Sequence, residues 1–251
     1  MSRSPAPNTS ASRDIVLRSG DEWLALSLDE PDQAPRAAVV LCHGMGGDRV
    51  GPGGLFPQLG QAAVEAGCAA VRFDFRGAGE SSGAAESATL ASMVDDASQV
   101  VAWARSTLGC SRVLIAGHSI GGLVAAALAT RSPAEVHAAL LMACDIGRYD
   151  YSAGSPVFFA QDSMYFPHAF AAERARTDLL TARFTCPVAY IGGTLERPGI
   201  LNTMRRLSDA GHAVARIADA DHLFSAHRTE LASTATGLFH RLLVSPTESA
   251  S

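Results

Sequence analysis

Apolar residues in this chain gather into short unbroken runs: AAVVLC at 37–42, AAVRFD at 69–74, RVLIAG at 112–117, HAALLMA at 137–143, PVAYIG at 187–192 and AVARIA at 213–218. A strand with one face in water alternates apolar and polar residues, so unbroken runs of this length predict strands covered on both faces. Ahead of them, DIVLR and WLALSL predict an antiparallel pair at the sheet edge, joined at Ser19, Gly20 and Asp21. Between the runs the spacing turns helical. This is clearest over 90–108, where Leu90, Met93, Val94, Ala97, Val100, Val101, Ala104 and Leu108 recur at helical intervals. Strands alternating with helices predict an α/β fold, an eight-stranded, mostly parallel sheet with helices on both faces.

Ligands of such sheets bind beyond the carboxyl ends of the strands, where the chain leaves for the helices. The polar residues collect there. HGMGGD follows the third run, DFRGAGES the fourth, GHSIGG the fifth, CDIGRYDY the sixth, GGTLERP the seventh and DADHLFS the eighth. The length of 251 residues suits one large domain, expected over 14–244, with residues 1–13 and 245–251 as disordered tails.

Composition narrows the partners. All 20 basic residues are arginine, yet the net charge is −5, which predicts no surface for nucleic acid. No apolar run reaches the roughly 20 residues of a membrane span, and the small polar start lacks the apolar core of a secretory signal. A cytoplasmic protein acting on a neutral or apolar small molecule is expected. Cys42, Cys68, Cys110, Cys144 and Cys186 stand singly, with no C-x-x-C pair and no histidine cluster at metal spacing. They predict buried, reduced thiols, and neither a metal nor a cofactor.

Ser119 lies between the strand RVLIAG and the apolar helix IGGLVAAALA, flanked by Gly117 and Gly121. A strand-turn-helix with glycine at both positions predicts a strained elbow that exposes a nucleophile; the plain alternative is a serine helix cap. A serine hydroxyl needs a base. Among eight histidines, His222 follows the last strand run and so shares the sheet edge with Ser119. His118 is expected to point away from the serine, and His43 to make a structural hydrogen bond. His137, His168, His212, His227 and His240 fall where solvation accounts for them. In this architecture the acid lies between nucleophile and base in the chain. Glu196, four residues beyond Gly192, is the first candidate, and Asp145, directly after the sixth run, the alternative. Asp219 and Asp221 stand too near His222 to reach its far nitrogen. The backbone N–H groups of Ile120 and Met45 are the candidate oxyanion donors. Gly44 and Gly46 are not a dinucleotide fingerprint, because Arg49 stands where its third glycine belongs.

Together HGMGGD, LFPQLGQAAVEAGCAAVRFDFRGAGES, GHSIGG and ADHLFS resemble the α/β-hydrolase superfamily from about residue 37 onward. They are most similar to bacterial cinnamoyl/feruloyl-esterase-type and serine-aminopeptidase-like hydrolases. The resemblance implies a serine esterase whose nucleophile, base and oxyanion donors fall on Ser119, His222, Met45 and Ile120. It also implies a structural role for Asp74, Arg76 and Glu80. The family usually carries aspartate where this chain has Glu196.

The same resemblance places a cap at about 145–183. Tyr149, Tyr151, Phe158, Phe159, Tyr165, Phe166 and Phe170 fall within it. Packing of the cap accounts for most of them. Tyr149, Phe158, Phe159, Tyr165 and Phe166 are the candidate substrate contacts, favouring an apolar chain or aromatic ring. The expected activity is hydrolysis of small carboxylic esters or thioesters through an acyl-serine. An acyltransferase or cyclase using the same triad is the alternative, and a non-catalytic binding protein on the same scaffold the second.

Overall fold

A computed structural model describes residues 12–149, 158–159, 164–165 and 168–244, and of residues 158, 159, 164, 165 and 168 the backbone alone. Strands β1 (Arg13–Ser19) and β2 (Glu22–Asp29) form the expected antiparallel pair. Arg13, expected at the end of a tail, opens β1 and pairs with Leu28.

The next elements are β3 (Ala38–Cys42), α1 (Leu55–Glu65), β4 (Ala69–Phe73), α2 (Leu90–Thr107), β5 (Val113–His118), α3 (Ile120–Arg131) and β6 (Ala138–Met142). After a two-stranded ribbon, β7 (Phe158–Phe159) with β8 (Met164–Tyr165), come α4 (His168–Arg174), β9 (Val188–Gly193), α5 (Pro198–Asp209), β10 (Ala213–Ile217) and α6 (Arg228–Phe239). The main sheet runs β1-β2-β4-β3-β5-β6-β9-β10, antiparallel at β1-β2-β4 and parallel beyond.

The unbroken runs are buried on both faces for the reason that predicted them. In β3, Ala38, Val40 and Cys42 join the core under α2 and α3, while Val39 and Leu41 join the core under α1 and α6. α3 is apolar all round and largely buried, as a helix at the centre of a layer must be. α2 begins at a reciprocal cap: Thr89 Oγ1 accepts from Ser92 N at 2.9 Å, and Ser92 Oγ accepts from Thr89 N at 3.0 Å. Among the described residues no helix is long and apolar enough to cross a membrane.

Among the described residues of the insertion after β6, two side chains of α4 are packed inward. Phe170 of α4 is fully buried in the core with α2 and α3. Arg174 is buried too and donates to the carbonyls of Asp145 (3.0 Å), Thr177 (3.3 Å) and Gly147, tying the insertion's start to its second half.

Candidate active site

The elbow begins where β5 ends. Ser119 has φ 57° and ψ −122°, a conformation that L side chains rarely adopt and that turns the chain sharply into α3. A Cβ on Gly117 would collide with the backbone of Gly121, and one on Gly121 with the carbonyls of Cys42 and His43. Backbone therefore rests on backbone at both flanks, and this contact presses the serine outward. Ser119 N donates to Met142 O at 2.9 Å, anchoring the turn to β6.

His222 lies beyond β10. Its Nε2 is 3.1 Å from Ser119 Oγ, and its Nδ1 is 3.0 Å from Glu196 Oε2. A carboxylate only accepts, so Nδ1 carries the ring proton and Nε2 is left to accept from the serine hydroxyl. The Glu196 side chain is wholly buried, and Oε1 has no hydrogen-bond partner among the described residues. Asp145, the alternative acid, is engaged elsewhere: Oδ1 accepts from Gly147 N at 2.8 Å and from Thr203 Oγ1 at 3.4 Å. Asp221 Oδ1 accepts from Ser225 N at 2.8 Å, which is the first cause holding its carboxyl below the usual range.

The loop after β3 passes directly over the elbow. A Cβ on Gly44 would stand 3.4 Å from Ser119 Cβ, and Met45 shares one cavity with Ser119 and Ile120. Ile120 opens α3, where first-turn N–H groups have no acceptor within the helix. Two ties fix this loop. His43 Nδ1 donates to Gly44 O at 2.7 Å while Nε2 accepts from Phe75 N at 3.1 Å, and burial lowers the affinity of the imidazole for a second proton. Asp74, fully buried, accepts from Arg49 N at 2.5 Å, from the Arg49 guanidinium and from Glu80 N at 2.9 Å. Arg76 binds Asp96 at 2.6 Å and Glu22 at 2.8 Å. The loop DFRGAGES thus holds structure together, as the resemblance implied.

A cavity of about 1020 Å³ opens over Ser119, with Met45, Phe56, Ile120, Tyr149, Ile200 and Leu223 among its walls. Tyr149 thus lines the same cavity as the candidate nucleophile, with the Arg174 guanidinium carbon 5.7 Å from its ring centroid. Phe166 and the side chains of Phe158, Phe159 and Tyr165 lie outside the described residues. Of the remaining histidines, His137, His212, His227 and His240 do not line the cavity.

Two supports were not foreseen. Tyr190, in the middle of β9, donates to Cys144 O and accepts from Cys144 N, both at 2.8 Å, and so fixes the chain as it leaves β6. A tyrosine inside a buried strand run is itself a signal, because its hydroxyl must find a partner. His118, expected to point away from Ser119, lines the same cavity and reaches the main chain of His222, with Nε2 2.7 Å from the His222 carbonyl. The five cysteines are free and buried, and burial pushes the Cys68 thiol up to about 11.

Residues 33–173 match a family described as "Serine aminopeptidase, S33". A curated Escherichia coli relative, an uncharacterized 31.7 kDa protein of the traX-finO intergenic region, is 34% identical over 104 residues. That match covers 40% of this chain and only 35% of the relative. Est1E from Butyrivibrio proteoclasticus, solved with ferulic acid bound, superposes with a TM-score of 0.78 at 17% identity, covering 92% of this chain and 100% of that one. Mouse alpha/beta hydrolase domain-containing protein 10 gives 0.72 at 18% identity, covering 92% and 99%. The thioesterase domain of the curacin biosynthetic pathway gives 0.66 at 14%, covering 90% and 99%. The superpositions and the sheet order show the α/β-hydrolase fold, and the family match over 33–173 makes the chain a member of the serine aminopeptidase S33 family.

Proposed function

We propose that the protein is a serine hydrolase that cleaves small carboxylic esters or thioesters with an apolar or aromatic acyl group. One observation carries this reading: Ser119 Oγ, both nitrogens of His222 and Glu196 Oε2 form a continuous hydrogen-bonded line, with steps of 3.1 and 3.0 Å, opening into the cavity.

In the proposed reaction His222 Nε2 takes the Ser119 proton as Oγ attacks the acyl carbon. Glu196 holds the ring with Nε2 free and stabilises the imidazolium that results. The N–H groups of Met45 and Ile120 receive the developing oxyanion. His222 then gives its proton to the leaving oxygen or sulfur, water enters, and the same base activates it to release the acid and restore Ser119. Met45, Phe56, Ile120 and Ile200 among the cavity's lining support an apolar acyl group. A small cytoplasmic substrate completes the proposal.

The test is turnover on p-nitrophenyl esters and acyl thioesters of graded length, with and without alcohol or amine acceptors, by wild type and Ser119→Ala. Hydrolysis lost on the order of 10⁶-fold in the variant, with a fluorophosphonate labelling Ser119 alone, is the expected result. Labelling elsewhere, or an unaffected variant, overturns the acyl-serine. Product formed only with an acceptor makes the enzyme an acyltransferase.

A further inference from the structure

The loop that carries His222 is strained on both sides of it. Asp219 has φ 55° and Phe224 φ 51°, two left-handed residues that are not glycine. Such a conformation is strained for a residue with a Cβ and persists only where surrounding contacts over-determine it. Several contacts do so at the ends of the loop. Asp219 N donates to Thr194 Oγ1 at 2.8 Å, Leu195 N to Ala220 O at 3.1 Å, Phe224 N to Asp221 O at 3.1 Å and His227 N to Phe224 O at 3.0 Å. At His222 itself, the side-chain bond to its main chain among the described residues comes from His118.

We propose that His118 is a positioning residue for the base, its Nε2–H holding the His222 carbonyl so that His222 Nε2 stays in line with Ser119 Oγ. The carbonyl can only accept, so His118 must donate, and the 2.7 Å separation is short for an N–H···O bond. The ring is buried against Phe224, centroids 6.2 Å apart and edge-on, so it has little freedom to swing away. Burial, helped by the neighbouring His222, lowers its pKa to about 4 and keeps it neutral. It therefore holds the base without setting a second cation 5.1 Å from the imidazolium that forms during turnover. His118 is also the residue before Ser119 in the chain. One dipeptide thus supplies the nucleophile and the clamp on its base, and a shift of the elbow moves both together.

The inference rests on the Ser119–His222–Glu196 reading, and its test separates the two. His118→Gln keeps a donor at comparable reach; His118→Phe keeps the ring and its packing but loses the donor; His118→Asn, smaller than imidazole, loses the reach. Phe and Asn are expected to lower kcat on a p-nitrophenyl ester by about ten- to a hundredfold, the effect of a displacement near 1 Å at a reacting group. KM should hold within about twofold, and fluorophosphonate labelling of Ser119 should slow by the same factor as kcat. Gln should hold kcat within about threefold of wild type. The downfield proton resonance of His222 Nδ1, assigned by its loss in His222→Ala, should broaden in Phe and Asn and persist in Gln. If Phe fails to fold, Asn carries the comparison. Wild-type kcat in Phe or Asn, or an equal loss in Gln, overturns the positioning role while leaving the triad standing. Turnover surviving in Ser119→Ala or His222→Ala removes the triad and the positioning role with it.

Discussion

Replacing Ser119 by glycine should stabilise the protein relative to replacing it by alanine, although both variants are expected to be inactive. The backbone at 119, with φ 57° and ψ −122°, penalises any residue with a Cβ. Conformations of this kind cost about 1–3 kcal/mol. Alanine retains that cost and glycine escapes it. Glycine in turn loses more chain entropy on folding, by about 0.5–1 kcal/mol. The difference leaves Ser119→Gly more stable by about 0.5–2 kcal/mol, or about 1–8 °C in Tm for a chain of this size. Both variants lose the bond to His222, so it cancels in the comparison. Paired urea and thermal unfolding measure the difference. The same pair at Ser98, a regular position in α2, provides the control, since there glycine should be the less stable by about 1 kcal/mol. If glycine at 119 is no more stable than alanine there, the elbow stores no strain, and the serine's exposure needs another cause.

Glu196→Gln should lower kcat by about 10³–10⁴, because an amide no longer selects the required tautomer; Asp145→Asn, whose carboxylate binds Gly147 N and not His222, should cost less than about tenfold. A larger loss in the Asp145 variant on the same ester would move the acid to the end of β6. Gly121→Ala should destabilise the fold by about 3 kcal/mol or more in urea, because the added methyl meets the carbonyls of Cys42 and His43, which cannot swing aside; an ordinary midpoint would show that β3 and α3 can part. His118, with its pKa lowered to about 4 in the folded protein, binds a proton in the unfolded chain first. Its stabilising contribution is therefore fully present above about pH 6.5 and is lost as pH falls toward 4, by about 3 kcal/mol at about 1.4 kcal/mol per unit. The slope of stability against pH in that window should be shallower in His118→Gln, and equal slopes would mean that the ring is solvated.

The sheet was legible because burial on both faces leaves a plain mark, and β3, β5, β6 and β9 begin and end within one residue of their runs. The elbow was legible because glycine at 117 and 121 is dictated by backbone contacts that no other residue allows. His222 and Glu196 could be ranked by chain order, but nothing in the spacing chooses between Glu196 and Asp145. That choice is made by the direction in which two loops leave neighbouring strands. The role of Arg174 was hidden for a related reason. It satisfies main-chain carbonyls at residues 145, 147 and 177, and carbonyls carry no sequence signal. The insertion's aromatics divided along the same line: Phe170 went to the core and Tyr149 to the cavity, though each stands in an equally unpatterned stretch.

The glutamate follows from how tightly two of those loops are joined. A Cβ on Gly193 would collide with Ala220 O; Thr194 N donates to Ile217 O and Leu195 N to Ala220 O, both at 3.1 Å. The chain after β9 is thus zipped to the start of the His222 loop through residue 195, and only then is released toward Pro198 at the head of α5. Glu196 starts from that seam, and its Oε2 lies 3.0 Å from Nδ1 of His222. The contact has an electrostatic consequence. Oε1 is buried without a hydrogen-bond partner among the described residues, so the neutral ring of His222 compensates the carboxylate only in part. An under-satisfied buried acceptor of this kind costs on the order of 1–3 kcal/mol. If His222 takes the Ser119 proton, the ring becomes a cation against that carboxylate, and the deficit shrinks as the transition state forms. Stabilisation that is larger there than in the resting site lowers the barrier, whereas an equally strong bond in both states would not.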